Sequence, residues 1–282
     1  PADRTRWGAF DELREQSLQT QRAIAEAAAR DANTAKAGSI GQKIGWFYRS
    51  GMAEGAIEKA GYAPVKPELA QIDALKTPAD IVGYLDESFA RGQGGLFNVG
   101  AGADFKNSKM QIAYAFQGGL GLPTAEYYSK ADYAALRTAY QAHIAKVLEL
   151  AGSSPAQAKQ EAGQVLAFET RLAGVSLMPV DLRKPENQYH FVTLADADKA
   201  SSHLSWTRFF MAQKADVKDG FSLSQPKFFA EVDKMIGDVP VAQWRAYLRF
   251  HAIDSASPYL SKPCADEYFA FYNKSRNGQN EQ

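Results

Sequence analysis

Cysteine is nearly absent from this chain of 282 residues, in which Cys264 stands alone. A single cysteine cannot form an internal disulfide, and it excludes a cysteine-rich metal site. Histidine is also scarce, with only His143, His190, His203 and His251. No two of them are four residues apart, so the His-Glu-x-x-His pattern of a zinc-binding helix is missing. Such isolated histidines are more often structural or exposed than metal ligands.

Net charge and long apolar runs are lacking as well. Lys plus Arg and Asp plus Glu are each 32, so the formal net charge is zero. A balanced chain gives no indication of a nucleic-acid or anionic-membrane partner. No apolar run approaches the roughly 18 residues that span a bilayer, and no Gly-x-Ser-x-Gly turn marks a nucleophilic serine. The composition, 45% apolar and 23% charged, is that of a globular protein with a sizeable core.

Helix signals are abundant. Thr77 and Pro78 are typical of an N-cap and a first helical residue, and Gly92 is typical of a helix end. Ser154 is followed by proline in the same way. Apolar residues at helical spacing predict further helices over about 11–30, 40–48 and 133–152, and prolines predict helix starts near 226 and 240. The sequence therefore predicts a mainly α fold.

One stretch has the alternation of β-strands instead. Residues 96–99 and 112–116 alternate with a period of two, and the turn-forming segment "ADFKNSK" at 103–109 lies between them. This pattern predicts one small β-hairpin within the helical protein. No repeat or flexible linker divides the chain into obvious domains.

The glycine-rich segment "QGGLGLPTAEYY" follows the predicted hairpin. It does not fit a phosphate-binding loop, because no Lys-Ser or Lys-Thr follows the glycines and Pro123 removes a backbone donor. We interpret it as a strand exit that places Tyr127 and Tyr128 in the core. The alternative is that these tyrosines line a substrate cavity.

Four segments carry a family resemblance. They are "TRWGAFDELRE" at Thr5–Glu15, "QKIGWFYRSGM" at Gln42–Met52, "DFKNS" at Asp104–Ser108 and "GLGLPTAEYY" at Gly119–Tyr128. In this order they closely resemble the N-terminal half of the neprilysin-like zinc metallopeptidases, the family that includes endothelin-converting enzymes and bacterial oligopeptidases. "VPVAQWRAYLRFHAI" and the final "EYFAFYNKSRNGQNEQ" fit the same half. The resemblance covers essentially the whole chain.

The resemblance implies part of an enzyme with two mainly helical lobes around a central cavity. Residues 1–40 are expected to pack beside the catalytic lobe, and residues 41–282 to form the non-catalytic lobe that restricts entry to short peptides. The zinc ligands of the family lie in a C-terminal half whose motifs are not in this sequence. We therefore expect zinc in the complete enzyme, with no ligand from this chain, and no activity of the chain alone.

The expected partners are a peptide substrate and the C-terminal catalytic half of the same protein. The chain begins at Pro1 rather than at a methionine. Its start would be explained by removal of a signal peptide or anchor, or alternatively by trimming. Animal members of the family carry disulfides, which this chain cannot form internally, so an exported bacterial enzyme of the periplasm is expected. A stand-alone helical peptide-binding module without catalysis remains the alternative, and an unrelated helical protein a further one.

Three residues are predicted to bind substrate, all by the resemblance. Arg6 matches the family arginine that holds the free C-terminal carboxylate of short substrates. Asp11 and Arg14 match its acidic and basic neighbours. A guanidinium suits this role because it donates two parallel hydrogen bonds to a carboxylate and stays charged. No catalytic and no metal-binding residue is predicted in this chain.

Overall fold

The computed structural model describes residues 8–279. The chain divides into two compact units: one contains the residues up to Lys66 and those from Ile253 onward, and the other contains Pro67–Ala252. Most described residues are helical, which confirms the mainly α prediction. Among the described residues, no helix is both long and apolar enough to cross a membrane.

The α-helices of residues 8–279 vary in length from one turn to six. In chain order they are α1 (Ala9–Asp31), α2 (Ile40–Gly51), α3 (Glu54–Ala60), α4 (Lys66–Asp73), α5 (Pro78–Ala90), α6 (Glu126–Ser129), α7 (Ala134–Leu150), α8 (Pro155–Ala173), α9 (Pro179–Leu182), α10 (Pro185–Gln188), α11 (Leu194–Ala200), α12 (Trp206–Ala212), α13 (Pro226–Asp238), α14 (Val241–Ala256) and α15 (Lys262–Tyr268). A π-helical segment, Phe269–Ser275, follows α15.

The helix starts predicted from Thr-Pro and Ser-Pro are confirmed. The Thr77 hydroxyl accepts from the Asp80 N–H at 3.2 Å, and the Asp80 carboxylate accepts from the Thr77 N–H at 2.9 Å, which completes a capping box before α5. The Ser154 hydroxyl likewise accepts from the Gln157 N–H at 3.3 Å before α8. These ends are predictable because each cap involves residues only three positions apart.

The predicted hairpin is confirmed as part of a larger sheet. Strands β1 (Phe97–Ala103) and β2 (Gln111–Gln117) pair antiparallel, and the sheet continues with β3 (Phe191–Val192) and β4 (Phe221–Leu223) in the order β1-β2-β4-β3. Strand β4 runs parallel to β2 and antiparallel to β3. With two and three residues, β3 and β4 are too short to produce a recognisable alternation.

The core of the second unit contains an aromatic cluster centred on Trp206. Its ring lies 4.9 Å from that of Phe221, 5.2 Å from that of Phe229 and 5.8 Å from that of Phe97, measured between ring centroids. All four side chains are buried, and burial of each contributes about 1.5–3 kcal/mol. Through this cluster, strands β1 and β4 pack against helices α12 and α13.

The first unit depends on a close approach of two helices. A Cβ at Gly45 of α2 would lie 2.2 Å from the carbonyl oxygen of Ala28 in α1, so only glycine fits there. Gly45 is also the one residue of α2 that is buried. The two helices therefore pack backbone to backbone at this point.

Asp233 of α13 holds a loop of the second unit through three backbone donors. Its carboxylate accepts from the N–H groups of Ser202, His203 and Leu204, each at 2.8 Å. Burial raises the pKa of Asp233, but these hydrogen bonds and the nearby His203 outweigh it, so the pKa lies below its ordinary value. The folded state thus prefers the ionised carboxylate.

This lowered pKa predicts a loss of stability in acid. Asp233 stabilises the fold fully above its unfolded pKa of about 3.9, and that contribution is lost as the pH falls through the lower folded value. Urea unfolding at a series of pH values should therefore show the free energy of unfolding decreasing below about pH 4. Asp233→Asn should make that decrease shallower, whereas the exposed control Asp132→Asn should not. An unchanged acid dependence in Asp233→Asn would contradict the assignment.

Candidate functional site

The predicted substrate-binding residues are only partly within the described structure. Arg6 lies outside residues 8–279. Asp11 and Arg14 both lie in the first turns of α1, where Asp11 is half-buried and Arg14 is exposed. Three positions apart on a helix, they share one side of α1. Their role in binding substrate stays a prediction.

An apolar stripe on α1 lies uncovered. Phe10, Leu13 and Ile24 are 90%, 64% and 58% exposed, and helical geometry places them within about 60° of one another around the axis. No described residue of α1 is buried. A one-sided apolar stripe on a helix normally faces a core, whereas this one is exposed.

A second uncovered stripe lies on α2. Ile40, Ile44 and Phe47 recur at helical spacing, which correctly predicted the helix, but all three are exposed, Phe47 by 82%. The side of α2 that packs on α1 is the one with Gly45. The apolar residues of α2 therefore do not supply the core of the first unit.

The glycine-rich segment after β2 is fixed by backbone geometry. Gly119 has φ +78°, a left-handed conformation that other residues adopt only with strain. A Cβ there would lie 2.7 Å from the carbonyl oxygen of Leu96. The hydroxyl of Tyr247 donates to the carbonyl oxygen of Gly119 at 2.9 Å. Gly119 is thus confined between the carbonyl group of Leu96 and the hydroxyl of Tyr247.

Glu169 of α8 organises the rest of this segment. Its carboxylate is 0% exposed and accepts from the Gly121 N–H at 3.2 Å, the Tyr128 hydroxyl at 2.6 Å and the Tyr140 hydroxyl at 3.0 Å. The Nε2 atom of His251 lies 2.8 Å from Oε1, the oxygen that also accepts from Tyr140. We call these five residues the Glu169 cluster. A buried carboxylate is tolerated only when hydrogen bonds replace its hydration, and here four donor groups do so.

Tyr128 links the cluster to the turn. Its hydroxyl accepts from the Leu122 N–H at 2.9 Å while it donates to Glu169. Burial raises the pKa of Tyr128, and the Glu169 carboxylate raises it further, so the phenol keeps its proton. Tyr128 is buried, as our interpretation of the glycine-rich segment predicts. Tyr127 is half-buried and stacks on Tyr133 with ring centroids 4.0 Å apart.

Sequence reasoning missed Glu169 and its partners. The available signal was a glutamate on the apolar face of α8, where Val165, Phe168 and Leu172 are buried. A carboxylate at such a position must meet donors from other elements. The sequence does not indicate which ones, since they come from a turn and from three other helices, α6, α7 and α14.

Gly121→Ala tests the structural interpretation. A Cβ at Gly121 would lie 1.9 Å from the Tyr140 hydroxyl, so the cluster must shift. We expect the free energy of unfolding in urea to fall by about 2–4 kcal/mol, from overpacking and the weakened hydrogen bond to Glu169. The control Gly83→Ala in α5, where a Cβ meets nothing within 4 Å, should not destabilise. Unchanged stability of Gly121→Ala with altered peptide selectivity would favour tyrosines that line a cavity.

The described residues do not fit a zinc site. Between residues 8 and 279, no group of three or more His, Cys, Asp or Glu side chains could hold a metal ion. Within the Glu169 cluster, His251 and Glu169 are neighbours, but the remaining partners of the carboxylate are two hydroxyls and one N–H donor. No catalytic step through zinc follows from these residues.

Comparison with known proteins identifies the family. Residues 1–282 match the model of Peptidase family M13, so the chain belongs to that family. Neprilysin-3 of Drosophila melanogaster is 26% identical to it, and endothelin-converting enzyme 1 of Mus musculus is 24% identical; each alignment covers 95% of this chain and 36% of the relative. The chain therefore spans little more than a third of the length of these relatives.

A solved structure is similar over the whole chain. The zinc metalloprotease Zmp1 of Mycobacterium tuberculosis, determined in complex with an inhibitor, superposes with a TM-score of 0.93 at 28% identity. The superposition covers 100% of this chain and 43% of that one. The fold of a mainly helical lobe with one small sheet is thus shared with a zinc metalloprotease, as the resemblance implies.

Proposed function

We propose that this chain is the N-terminal region of a zinc metalloendopeptidase that cleaves short peptides. The observation that carries the proposal is the similarity of the entire chain to part of the zinc metalloprotease Zmp1. Family membership over residues 1–282 supports the same reaction class. Zinc and its ligands would belong to a C-terminal catalytic half, and this chain would form the lobe that restricts access to the cavity.

The uncovered stripes support a partner for the first unit. Phe10, Leu13 and Ile24 on α1 and Phe47 on α2 are large apolar side chains left in solvent. Burial of each would contribute about 1.5–3 kcal/mol. In this proposal residues 1–40 pack beside the catalytic half, residues 41–282 form the non-catalytic lobe, and the isolated chain is less stable than the complete protein.

Arg6 is proposed to bind the C-terminal carboxylate of the substrate. Asp11 would hold the guanidinium and Arg14 would add positive charge; the support is the motif match and the position of Asp11 and Arg14 on one side of α1. An exported enzyme of the bacterial periplasm is proposed as the source, because a single cysteine cannot form the internal disulfides that the resemblance implies for animal members. A peptide-binding module without catalysis is the competing function.

A comparison of the chain with the complete protein tests this proposal. We expect the complete protein to contain one zinc ion per molecule and to cleave short peptides. The 282-residue chain should bind no stoichiometric zinc and cleave none. Metal analysis measures the zinc content, a peptide-cleavage assay measures the activity, and the intact mass establishes the length of the purified protein. A native gene that encodes only this chain, with peptide binding but no cleavage, would favour the module instead.

A further inference from the structure

Strand β1 forms an exposed edge of the four-stranded sheet. It pairs with β2 on one side, and no described strand pairs with its other side. Asn98, Val99, Gly100 and Ala101 are all exposed. Natural edge strands are usually protected by lysine, proline or a bulge. The β1 sequence FNVGAGA has neither charge nor proline, and its pairing with β2 is one-to-one.

The register with β2 determines which groups of β1 point outward. The Asp104 N–H donates to the carbonyl oxygen of Met110 at 3.0 Å, on the β2 side. Because directions alternate along an antiparallel strand, Gly102 and Gly100 also direct their N–H and C=O groups toward β2. Val99 and Ala101 direct theirs to the open side. The edge therefore offers two donors and two acceptors at strand spacing.

An apolar groove lies beside this edge. Gly100 is directly opposite Tyr114 in the register, and Asn98 is opposite Phe116, so these residues share one face. Because Gly100 has no side chain, that face has a gap of about 660 Å³, lined among others by Tyr114, Phe116 and Phe105, whereas the Tyr114 ring covers Gly102. A Cβ at Gly100 would meet nothing within 4 Å. A large side chain from a neighbouring strand could fill this gap.

We infer that the outer edge of β1 binds an extended peptide as an added antiparallel strand. Main-chain hydrogen bonds to Val99 and Ala101 would hold the peptide, and an aromatic side chain opposite Gly100 would lie over the glycine against Tyr114 and Phe116. A second copy of this chain fits less well, because its own β1 would bring glycines to the gap. The peptide class rests on the proposed function; the edge and the groove do not.

The proposal predicts a specific pattern in the bound peptide. The residue opposite Gly100 directs its N–H and C=O away from β1, since Gly100 directs its own groups toward β2. The residues on either side, opposite Val99 and Ala101, direct theirs toward β1. A groove that bound only the aromatic side chain would not distinguish these two sets of amides.

The test uses acetyl-Thr-Val-Phe-Val-Thr-amide and the 282-residue chain. N-methylation of either flanking valine should weaken binding by about tenfold or more, because it removes a main-chain hydrogen bond. N-methylation of the central phenylalanine should leave affinity within about threefold. Replacement of that phenylalanine with glycine should weaken binding by about tenfold. Isothermal titration calorimetry gives the affinities, and NMR shift changes should be largest in residues 98–104.

Three variants of the protein complete the experiment. Gly100→Val fills the gap and should weaken the phenylalanine peptide by about tenfold. Gly95→Val, at another position where a Cβ meets nothing within 4 Å, is the matched control and should bind normally. Ala101→Pro removes one outward N–H, is tolerable at an edge, and should also weaken binding. Circular dichroism checks that each variant is folded.

Several results would overturn the inference. They are an absence of binding, equal affinities of all N-methylated peptides, normal binding by Gly100→Val, or dimerisation of the chain through β1. The blocked peptide has no free carboxylate for Arg6 and the assay needs no catalysis. Failure here therefore leaves the proposed peptidase function intact, and failure of the complete protein to cleave peptides leaves this edge site intact.

Discussion

Glu169→Ala is expected to lower the free energy of unfolding by about 3–5 kcal/mol, the largest stability effect predicted for this chain. The change leaves the hydroxyls of Tyr128 and Tyr140, the N–H of Gly121 and the ring of His251 without their common acceptor. A buried donor without a partner costs about 1–3 kcal/mol, reduced where the loosened structure admits water. Urea unfolding monitored by circular dichroism measures the change.

Two variants sharpen this expectation. Glu169→Gln keeps the shape and one acceptor oxygen, so it should lose less stability than Glu169→Ala. Glu186→Ala removes an exposed glutamate of the same unit and should change stability by no more than about 0.5 kcal/mol. If Glu169→Ala and Glu186→Ala have the same stability, the Glu169 cluster does not hold the glycine-rich segment.

Arg6→Ala should reduce cleavage of peptides with a free C-terminus about ten- to a hundredfold in the complete enzyme. A charge-assisted hydrogen bond contributes about 1.5–3 kcal/mol, and each 1.4 kcal/mol corresponds to tenfold in affinity. Peptides with an amidated C-terminus should be cleaved almost as well as by the unchanged enzyme. The measurement is kcat/KM for matched free-acid and amide substrates.

Controls separate a specific contact from a general effect of charge. Arg6→Lys keeps the charge but loses the planar pair of donors, so its loss should be intermediate. Arg183→Ala removes an exposed arginine from the second unit and should leave both substrates unaffected. Equal losses for free-acid and amidated peptides in Arg6→Ala would remove Arg6 from this role.

The sequence predicted the elements that depend on neighbours along the chain. The caps at Thr77 and Ser154 join residues three apart, and the hairpin joins strands separated by a short turn. Because both interactions involve residues close together in the sequence, residue propensities and spacing are enough to predict them. The ordered motifs from Thr5 to Tyr128 also led to the peptidase family, which the match over residues 1–282 confirms.

Only the tertiary structure decided which apolar and polar residues are buried. Helical spacing predicted α2, yet its apolar stripe is exposed because Gly45 faces α1 instead. Glu169 is buried among donors 29 to 82 positions away, such as Tyr140 and His251. Periodicity shows that a helix or strand has an apolar side and a polar side, but it does not show which element packs against either side. Contacts between distant segments form only when the whole chain packs, and these contacts fix the glycine-rich segment.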